Sequence, residues 1–349
     1  MTGSKRLYVL AAGLVLVCGC LVVLGIVGPG LYRLLLTGSS ATAPDFDATL
    51  QALITEATVS GAPAPVTPEA TVSGSELSGH IVFTCQIDKY QSSEQICIVN
   101  ADGSGYRRLT QEDGVRHYYP SLSPDGASVV YSQYREDNVY EIHELGLTDG
   151  VSERLTDRLG VLTGPEISPD GGTIAFMRWT VASNQYQIWL IDRDGGNPRR
   201  LLSATGWDPT WSPDGTQILF ASDMDGAVQL YRVDLEGTNV QRISDLPAMR
   251  GRSDWSAQGM ITTYSGGPGK REIYVMQADG SDSRQVSPAG GNSQGPSFSP
   301  DGQWIAFTAY FDKFDDIHGC EIYILRTDGT DLRRLTNNDY CDYQARWGP

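Results

Sequence analysis

The motif Ser-Pro-Asp-Gly recurs at a nearly constant interval, and this repeat constrains the fold more than any other feature of the sequence. Aligning the chain on the serine of the motif gives the positions Ser123, Ser168, Ser212, Ser256 (a degenerate SAQG copy), Ser299 and finally Gly348 in the terminal ARWGP. Successive positions are 43 to 49 residues apart. A period of this length is typical of propeller blades or solenoid units.

Each repeat contains the same four pieces. A Pro-x-apolar segment such as 209–211 precedes the motif, and two β-branched and aromatic runs follow it, for example QILFA at 217–221 and LYRVD at 230–234. A short basic segment such as LRRLT at 332–336 ends the unit. Four short strands without a 3.6-residue period predict one antiparallel blade. The SPDG turn then joins the innermost strand to the second, because Pro presets φ and Gly accepts positive φ.

Counting the strands predicts how the fold closes. The first unit begins at HIVFTCQ (80–86) and lacks an innermost strand, whereas QARW (344–347) is an innermost strand that lacks a blade. We therefore expect an all-β fold over residues 80–349, a six-bladed β-propeller closed by the C-terminal strand joining blade one.

These repeats resemble those of the TolB-like propeller family, in which P-x-W-S-P-D-G-x-x-I-A-F is followed by I-Y-V-M-x-x-D-G and then R-x-L-T. The resemblance covers roughly residues 80–349 and recurs six times. It implies an extracytoplasmic propeller that binds proteins. Periplasmic TolB has a folded N-terminal domain, and a membrane segment and a tether stand in its place here.

The N-terminal 79 residues predict an attachment to the membrane. Residues 1–6 form a cytoplasmic stub, and residues 7–27 are uncharged, which at 1.5 Å per residue covers the roughly 30 Å of a bilayer core. Lys5 and Arg6 place the N-terminus in the cytoplasm of a single-pass cell-membrane protein. The alternative is a lipoprotein anchored at Cys20, because VCGC at 17–20 resembles a lipoprotein cleavage box. Residues 28–79 are an Ala/Thr/Ser/Pro-rich linker.

Four cysteines lie in the first and last units, and cysteines in an extracytoplasmic domain favour disulfides. We expect Cys85 to pair with Cys97 across a hairpin, and Cys320 with Cys341 between two loops. Free buried thiols are the alternative. No CxxC or paired-His spacing indicates zinc.

Charge and motifs argue against several classes of function. A net charge of −16 repels phosphate backbones, so we expect no nucleic-acid partner. Ser293 lies in a GxSxG match, but without the strand–turn–helix context that a nucleophile needs. Asp312, Asp315 and Asp316 form an acidic cluster without EF-hand spacing, so an exposed loop is the simpler interpretation. We predict no catalytic residues, no metal and no cofactor.

The best candidate for binding is the mouth formed by the loops before each Pro-x-apolar strand, where the innermost strands converge. Aromatic residues and Arg are enriched at binding hot spots. The candidate residues are His117, Tyr118, Trp207, Asp208, Arg250, Arg252, Gln294 and Tyr343. The alternative is that the aromatic residues only plug the channel.

The sequence therefore predicts a membrane-tethered extracytoplasmic propeller that acts as a non-catalytic binding or scaffold module. Its partner would be a protein, a peptide or a component of the cell envelope, bound at the mouth. The alternative is a propeller lyase or hydrolase with a metal-assisted site at the channel mouth.

Overall fold

A computed structural model of the 349-residue chain describes residues 77–88, 94–112, 114–311 and 319–349. The predicted anchor, Cys20, the linker up to residue 76 and the acidic cluster of the 312–318 loop lie outside these residues. In the described part, no helix is long and apolar enough to cross a bilayer.

All 24 elements of the described chain are strands. They are β1 (His80–Gln86), β2 (Glu94–Asn100), β3 (Arg107–Arg108), β4 (His117–Leu122), β5 (Ser128–Glu136), β6 (Val139–Gly146), β7 (Ser152–Arg154), β8 (Val161–Ile167), β9 (Thr173–Trp179), β10 (Tyr186–Asp192), β11 (Arg199–Arg200), β12 (Trp207–Trp211), β13 (Gln217–Ser222), β14 (Gln229–Asp234), β15 (Gln241–Arg242), β16 (Met249–Trp255), β17 (Met260–Ser265), β18 (Glu272–Gln277), β19 (Arg284–Gln285), β20 (Gln294–Phe298), β21 (Trp304–Ala309), β22 (Glu321–Arg326), β23 (Arg333–Arg334) and β24 (Asp342–Gly348).

The strands pair in antiparallel groups of four, in the order innermost to outermost. Five groups follow the chain, from β4–β7 to β20–β23, and the remaining one has the order β24-β1-β2-β3. In that group His80 is opposite Gly348 and Ile81 is opposite Trp347. One parallel pair, Tyr140 with Val161, joins the group β4–β7 and the group β8–β11 into a larger sheet. The described chain is thus an all-β propeller fold.

The core lies between consecutive groups. Ile218 and Phe220 of β13 pack with Ile188 of β10 in one cluster, and five further clusters combine other pairs of groups. One of these clusters contains Phe83 of β1 together with Trp304 of β21, which come from the first and the last units of the sequence. Because each sheet buries both of its faces, the second strands are continuous apolar runs.

The SPDG turns form as predicted, between the innermost and second strands. In the copy at 212–215, Ser212 Oγ donates to Asp214 Oδ1 (2.6 Å) and accepts from the backbone N–H of Gln217 (2.9 Å). Gly215 has a φ of 70°, which explains why glycine ends the motif. The copies at Ser123, Ser168 and Ser299 repeat the serine–aspartate bond at 2.5–2.6 Å.

Two disulfides are present, with the pairing expected from the sequence. Cys85 is bonded to Cys97 (Cα–Cα 5.8 Å) within the β1–β2 hairpin. Cys320 is bonded to Cys341 (Cα–Cα 4.4 Å), so the segment before β22 is fixed to the segment before β24.

Candidate functional site

A β-bulge near the start of each innermost strand positions the candidate site. The residue immediately before the Pro position of the repeat will be called the slot residue. The six slot residues are Gln344, Tyr119, Gly164, Asp208, Arg252 and Gly295. The register of strand pairing shifts at or beside every one of them. A bulge re-aims a side chain, and here it interrupts the alternation of the strand.

The bulge conformation is unusual for residues with a side chain. Tyr119, Asp208 and Gln344 have φ values of 55°, 51° and 60°, and glycine occupies two of the other slots with φ values of 62° and 61°. Positive φ is uncommon outside glycine and is best tolerated by Asn and Asp. A non-glycine residue here is a local cost, which makes the slots candidates for function.

All the slot residues except Gly164 line two adjoining cavities, which together will be called the mouth. The larger, of about 380 Å³, is lined by Gln86, Glu94, Tyr119, Asp208, Arg252, Tyr264, Gln294, Gly295, Thr308, Tyr310, Cys341, Tyr343 and Gln344. The smaller, of about 320 Å³, shares Tyr119, Asp208, Tyr343 and Gln344, and adds aromatic residues including Tyr118, Tyr186 and Trp207. Cavities of this size bury small ligands or single side chains.

Arg252 and Asp208 supply opposite charges to the mouth. The Arg252 side chain is largely buried, its Nη2 donates to the carbonyl of Pro120 (3.0 Å), and its guanidinium lies 5.5 Å from the Tyr119 ring centre. Burial lowers the pKa of Arg252 to about 10, so it stays charged at neutral pH. Desolvation raises the pKa of the Asp208 carboxyl, although the nearby Arg252 opposes the shift. A side chain at position 251 would collide with the Asp208 carboxylate, which accounts for Gly251.

A second charged layer lies two residues further along the innermost strands. Arg346 is 5% exposed and its Nη2 is 3.4 Å from Glu166 Oε2, while its Nη1 is 3.9 Å from Asp254 Oδ1. Asp254 also accepts from the backbone N–H of Phe298 (2.7 Å). Burial raises the pKa of Glu166, and Arg346 opposes this shift. Both terminal nitrogens of Arg346 have acceptors, so we interpret this layer as support for the mouth.

The structure brings together most of the residues that the sequence nominated. Asp208, Arg252, Gln294 and Tyr343 line the larger cavity. Tyr118 and Trp207 line the smaller one. Arg250 lies in β16, and its side chain is outside the described part of the chain.

His117 does not line either cavity. It is fully buried, and its ring lies against Tyr131 with the ring centres 5.5 Å apart. Burial lowers its pKa to about 4, so the imidazole is neutral at physiological pH. Because the bulge begins after it, His117 keeps its place in the β4–β5 ladder opposite Gln133 and is not among the residues that line the mouth.

Sequence reasoning missed Tyr119, Gln344 and Glu94. The amide oxygen of Gln344 accepts from the Tyr119 backbone N–H (2.9 Å) and from Thr84 Oγ1 (2.8 Å), so it ties β24 to β4 and β1. Glu94 is 2% exposed, and burial raises its pKa. The alignment of the repeats contains the signal for the first two, because both precede the Pro position.

The side chains of the mouth include groups that suit the recognition of a ligand. Within residues 77–88, 94–112, 114–311 and 319–349, no group of three His, Cys, Asp or Glu side chains is placed to hold a metal ion. The mouth offers aromatic faces, tyrosine hydroxyls and a charged guanidinium, which are the groups that dominate binding hot spots.

The fold and the mouth define an all-β propeller whose innermost strands converge on a cavity lined by aromatic and charged residues. The family of the TolB beta propeller domain matches residues 70–267, which is more than half of the chain. The chain therefore belongs to this family, as the repeats predicted.

Three curated proteins are similar in sequence. An uncharacterized protein of Agrobacterium fabrum is 33% identical over 51% of this chain and 64% of its own length. A TolB homolog of Chlorobium luteolum is 31% identical over 44% of this chain and 35% of its own length. An uncharacterized peptidase of Bacillus subtilis is 25% identical over 44% of this chain and 30% of its own length. The chain thus spans less than two thirds of each of these relatives.

Solved structures share the fold at low identity. TolB from Acinetobacter baumannii superposes with a TM-score of 0.68 at 21% identity, covering 79% of this chain and 68% of that one. Hydrazine synthase of Kuenenia stuttgartiensis gives 0.62 at 13% identity (78% and 46% covered), and a nidogen/laminin complex gives 0.59 at 12% (78% and 99%). Such different proteins show that the fold alone does not assign an activity.

Proposed function

We propose that the four-stranded groups are the blades of a six-bladed ring, closed where β24 joins β1. Support comes from the β24–β1 pairing and from the apolar cluster that combines residues of the first and last units. Truncation after Cys341 removes β24 and leaves β1 as an open edge. We expect that variant to lose cooperative thermal unfolding, and a truncated chain with the wild-type melting temperature would disprove the closure.

We further propose that residues 7–27 anchor the propeller in the cell membrane, with the propeller on the extracytoplasmic side and lipidation at Cys20 as the alternative. The uncharged segment and the disulfides of an oxidising compartment support this placement. Protease treatment of spheroplasts should remove the propeller. Replacing Cys20 with Ala should leave the membrane fraction unchanged, whereas release of the protein would favour the lipoprotein.

The function supported best is a non-catalytic binding or scaffold module for a protein, a peptide or an envelope component. The observation that carries it is the divergence of the slot residues: five of the six slots line the mouth, and four of those five carry different side chains on identical scaffolds. A repeat that needed only to close its ring would not require Tyr, Asp, Arg and Gln at equivalent bulges, three of them (Tyr119, Asp208 and Gln344) at positive φ.

Affinity capture from envelope extract with the full-length chain tests this function. We expect Trp207→Ala and Arg252→Ala each to lower recovery of a specific partner by about tenfold, the size of a hot-spot loss. Val181→Ala and Arg200→Ala are matched controls, because both residues are exposed and lie away from the mouth. Equal recovery with all four variants would remove the mouth from the binding surface.

A metal-assisted hydrolase or lyase at the channel mouth is the second candidate, favoured by the similarity to a Bacillus subtilis peptidase. That relative shares only 30% of its length with the chain, so its activity is not transferred. Metal analysis of the purified chain distinguishes the two. Stoichiometric bound metal that is lost in Asp208→Ala would favour the enzyme, and a metal-free chain that still captures its partner would favour the binding module.

A further inference from the structure

Arg252 contains a charged donor without a partner at a place where water hardly reaches. The side chain is 7% exposed, Nη2 is used by the Pro120 carbonyl, and Nη1 is buried with no hydrogen-bond acceptor among the residues that the structure describes. An unpaired buried donor costs about 1–3 kcal/mol, and more when it is charged. A residue that only stabilised the fold would be expected to use this N–H.

Arg346 shows what a structural arginine in this channel looks like. It is buried to the same degree, but both of its terminal nitrogens have acceptors, namely the carbonyls of Pro296 (3.4 Å) and Ser253 (3.1 Å), and Glu166. Arg346 does not line the mouth, whereas Arg252 does. The two arginines therefore differ at their terminal nitrogens: Arg346 leaves only its Nε without an acceptor among the described residues and lies away from the mouth, whereas Arg252 leaves Nη1 unused and lines a cavity.

We propose that Arg252 binds a single carboxylate group of a peptide ligand in the larger cavity of the mouth. This inference rests on the proposed binding function and names the chemical class that the mouth selects. The unused Nη1 supplies a charged N–H donor, which suits a carboxylate and is strengthened by exclusion of water. The cavity of about 380 Å³ accepts one side chain or one chain terminus.

The surrounding charges favour a monoanion over a phosphate group. Asp208 and Glu94 also line the cavity, and desolvation raises the pKa of both carboxyls, so an anion bound there has two acidic neighbours besides the Arg252 guanidinium. A dianion would add repulsion that a singly charged carboxylate avoids. Burial also raises the pKa of Tyr119, Tyr310 and Tyr343, which keeps their hydroxyls protonated as donors to an anion.

Two sources present this group, the α-carboxylate at the end of a peptide and the side chain of Asp or Glu. Three probes separate them: N-acetylphenylalanine has only the α-carboxylate, the α-amide of N-acetylaspartate has only the side-chain carboxylate, and N-acetylphenylalaninamide has neither. Each is added at 10 mM to the full-length chain, against sodium chloride of equal ionic strength, and the melting temperature is recorded.

We expect at least one carboxylate probe to raise the melting temperature by about 2 °C through mass action, and the neutral amide to raise it by less than a third of that. The probe that acts identifies the source. Arg252→Gln should abolish the shift, and Arg200→Gln, which removes the same charge from an exposed strand, should retain it. Asp208→Asn removes the competing acid and should lower the Kd of the active probe at least threefold.

The melting-temperature shifts of the wild-type chain with the carboxylate probes and with the neutral amide test carboxylate binding even if Arg252→Gln does not fold. Equal shifts with all probes, or a full shift in folded Arg252→Gln, would overturn the inference. If the probes fail while Trp207→Ala still weakens partner capture, the mouth binds its partner without a carboxylate. If the probes bind but no mouth variant alters capture, the inference stands and the proposed function falls.

Discussion

The two ends of the innermost strands differ in what the repeat preserves. At the C-terminal ends the SPDG turns are near copies, in which serine, aspartate and glycine satisfy one another. At the N-terminal ends the slot residues share a bulge but differ in chemistry. The comparison indicates that the turns are built alike in every SPDG copy, whereas the bulges carry side chains that differ from one repeat to the next.

The largest effect should come from breaking the charged layer beneath the mouth. Arg346→Met leaves Glu166 and Asp254 without their cation, and removal of one member of a buried ion pair costs about 3–5 kcal/mol. The loss is measured by chemical denaturation, with exposed Arg200→Met as the control. Burial raises the pKa of Glu166, and loss of Arg346 raises it further, so this carboxyl takes up a proton more readily in the variant. The difference in free energy of unfolding between the wild type and Arg346→Met should therefore become smaller as the pH falls from 7 to 5. A cost below 1 kcal/mol would mean that this layer belongs with the ligand-binding residues above it.

An intermediate effect should appear in the pH dependence of stability, through His117. Its pKa of about 4 in the folded chain is below the ordinary 6.5, so the unfolded chain binds this proton more readily between those values. Stability is therefore complete above about pH 6.5 and falls as the pH decreases toward 4, by about 3 kcal/mol. His143, on the same tyrosine, has a pKa of about 4 as well and acts in the same direction.

Thermal unfolding from pH 7 to pH 4 measures this slope. His117→Leu should reduce it whatever its effect on absolute stability, and His80→Gln, at an exposed residue, should not. An unchanged slope in His117→Leu would show that His117 is accessible to protons and closer to the mouth than its burial indicates.

The smallest effect on the free energy of unfolding should come from the SPDG turns, and it should be similar in all four copies. Asp125→Ala, Asp170→Ala, Asp214→Ala and Asp301→Ala each remove the same bond to serine, and each should lower the free energy of unfolding by about 1 kcal/mol. The alanine variants of the slot residues Tyr119, Asp208 and Gln344 should instead differ from one another. Unequal costs among the turns would contradict the distinction between the two ends.

Much of the fold follows from the sequence because its signals are local. The SPDG turn closes on its own side chains, and its spacing supplies the unit length. The cysteine pairing follows from the same assignment, since it places Cys97 in the strand beside Cys85. What the repeat did not reveal is the partner of the threonine in its R-x-L-T piece. Thr336, for example, accepts from the N–H of Ile322 and donates to Glu321, 15 residues earlier.

The site was harder to predict because strand alternation fails there. In a regular strand, neighbouring side chains point to opposite faces, so Trp207 and Asp208 would lie on different faces of the sheet. The register shifts in this stretch, and both residues line the mouth. The same irregularity misled the assignment of His117, which precedes the bulge and stays in the ladder. Register shifts depend on backbone conformation, and no residue type marks them reliably when Tyr and Gln adopt positive φ.

The pairing of β1 with β24 also has a consequence for the order of events in folding. His80 Nδ1 donates to the carbonyl oxygen of Pro349, a residue 269 positions away, so this contact is among the last that a folding chain can make. Until β24 pairs with β1, the edge of β1 exposes unpaired amide and carbonyl groups to neighbouring molecules. Aggregation through this edge should lower the yield of refolding as the protein concentration rises. In the folded chain β24 covers the edge of β1.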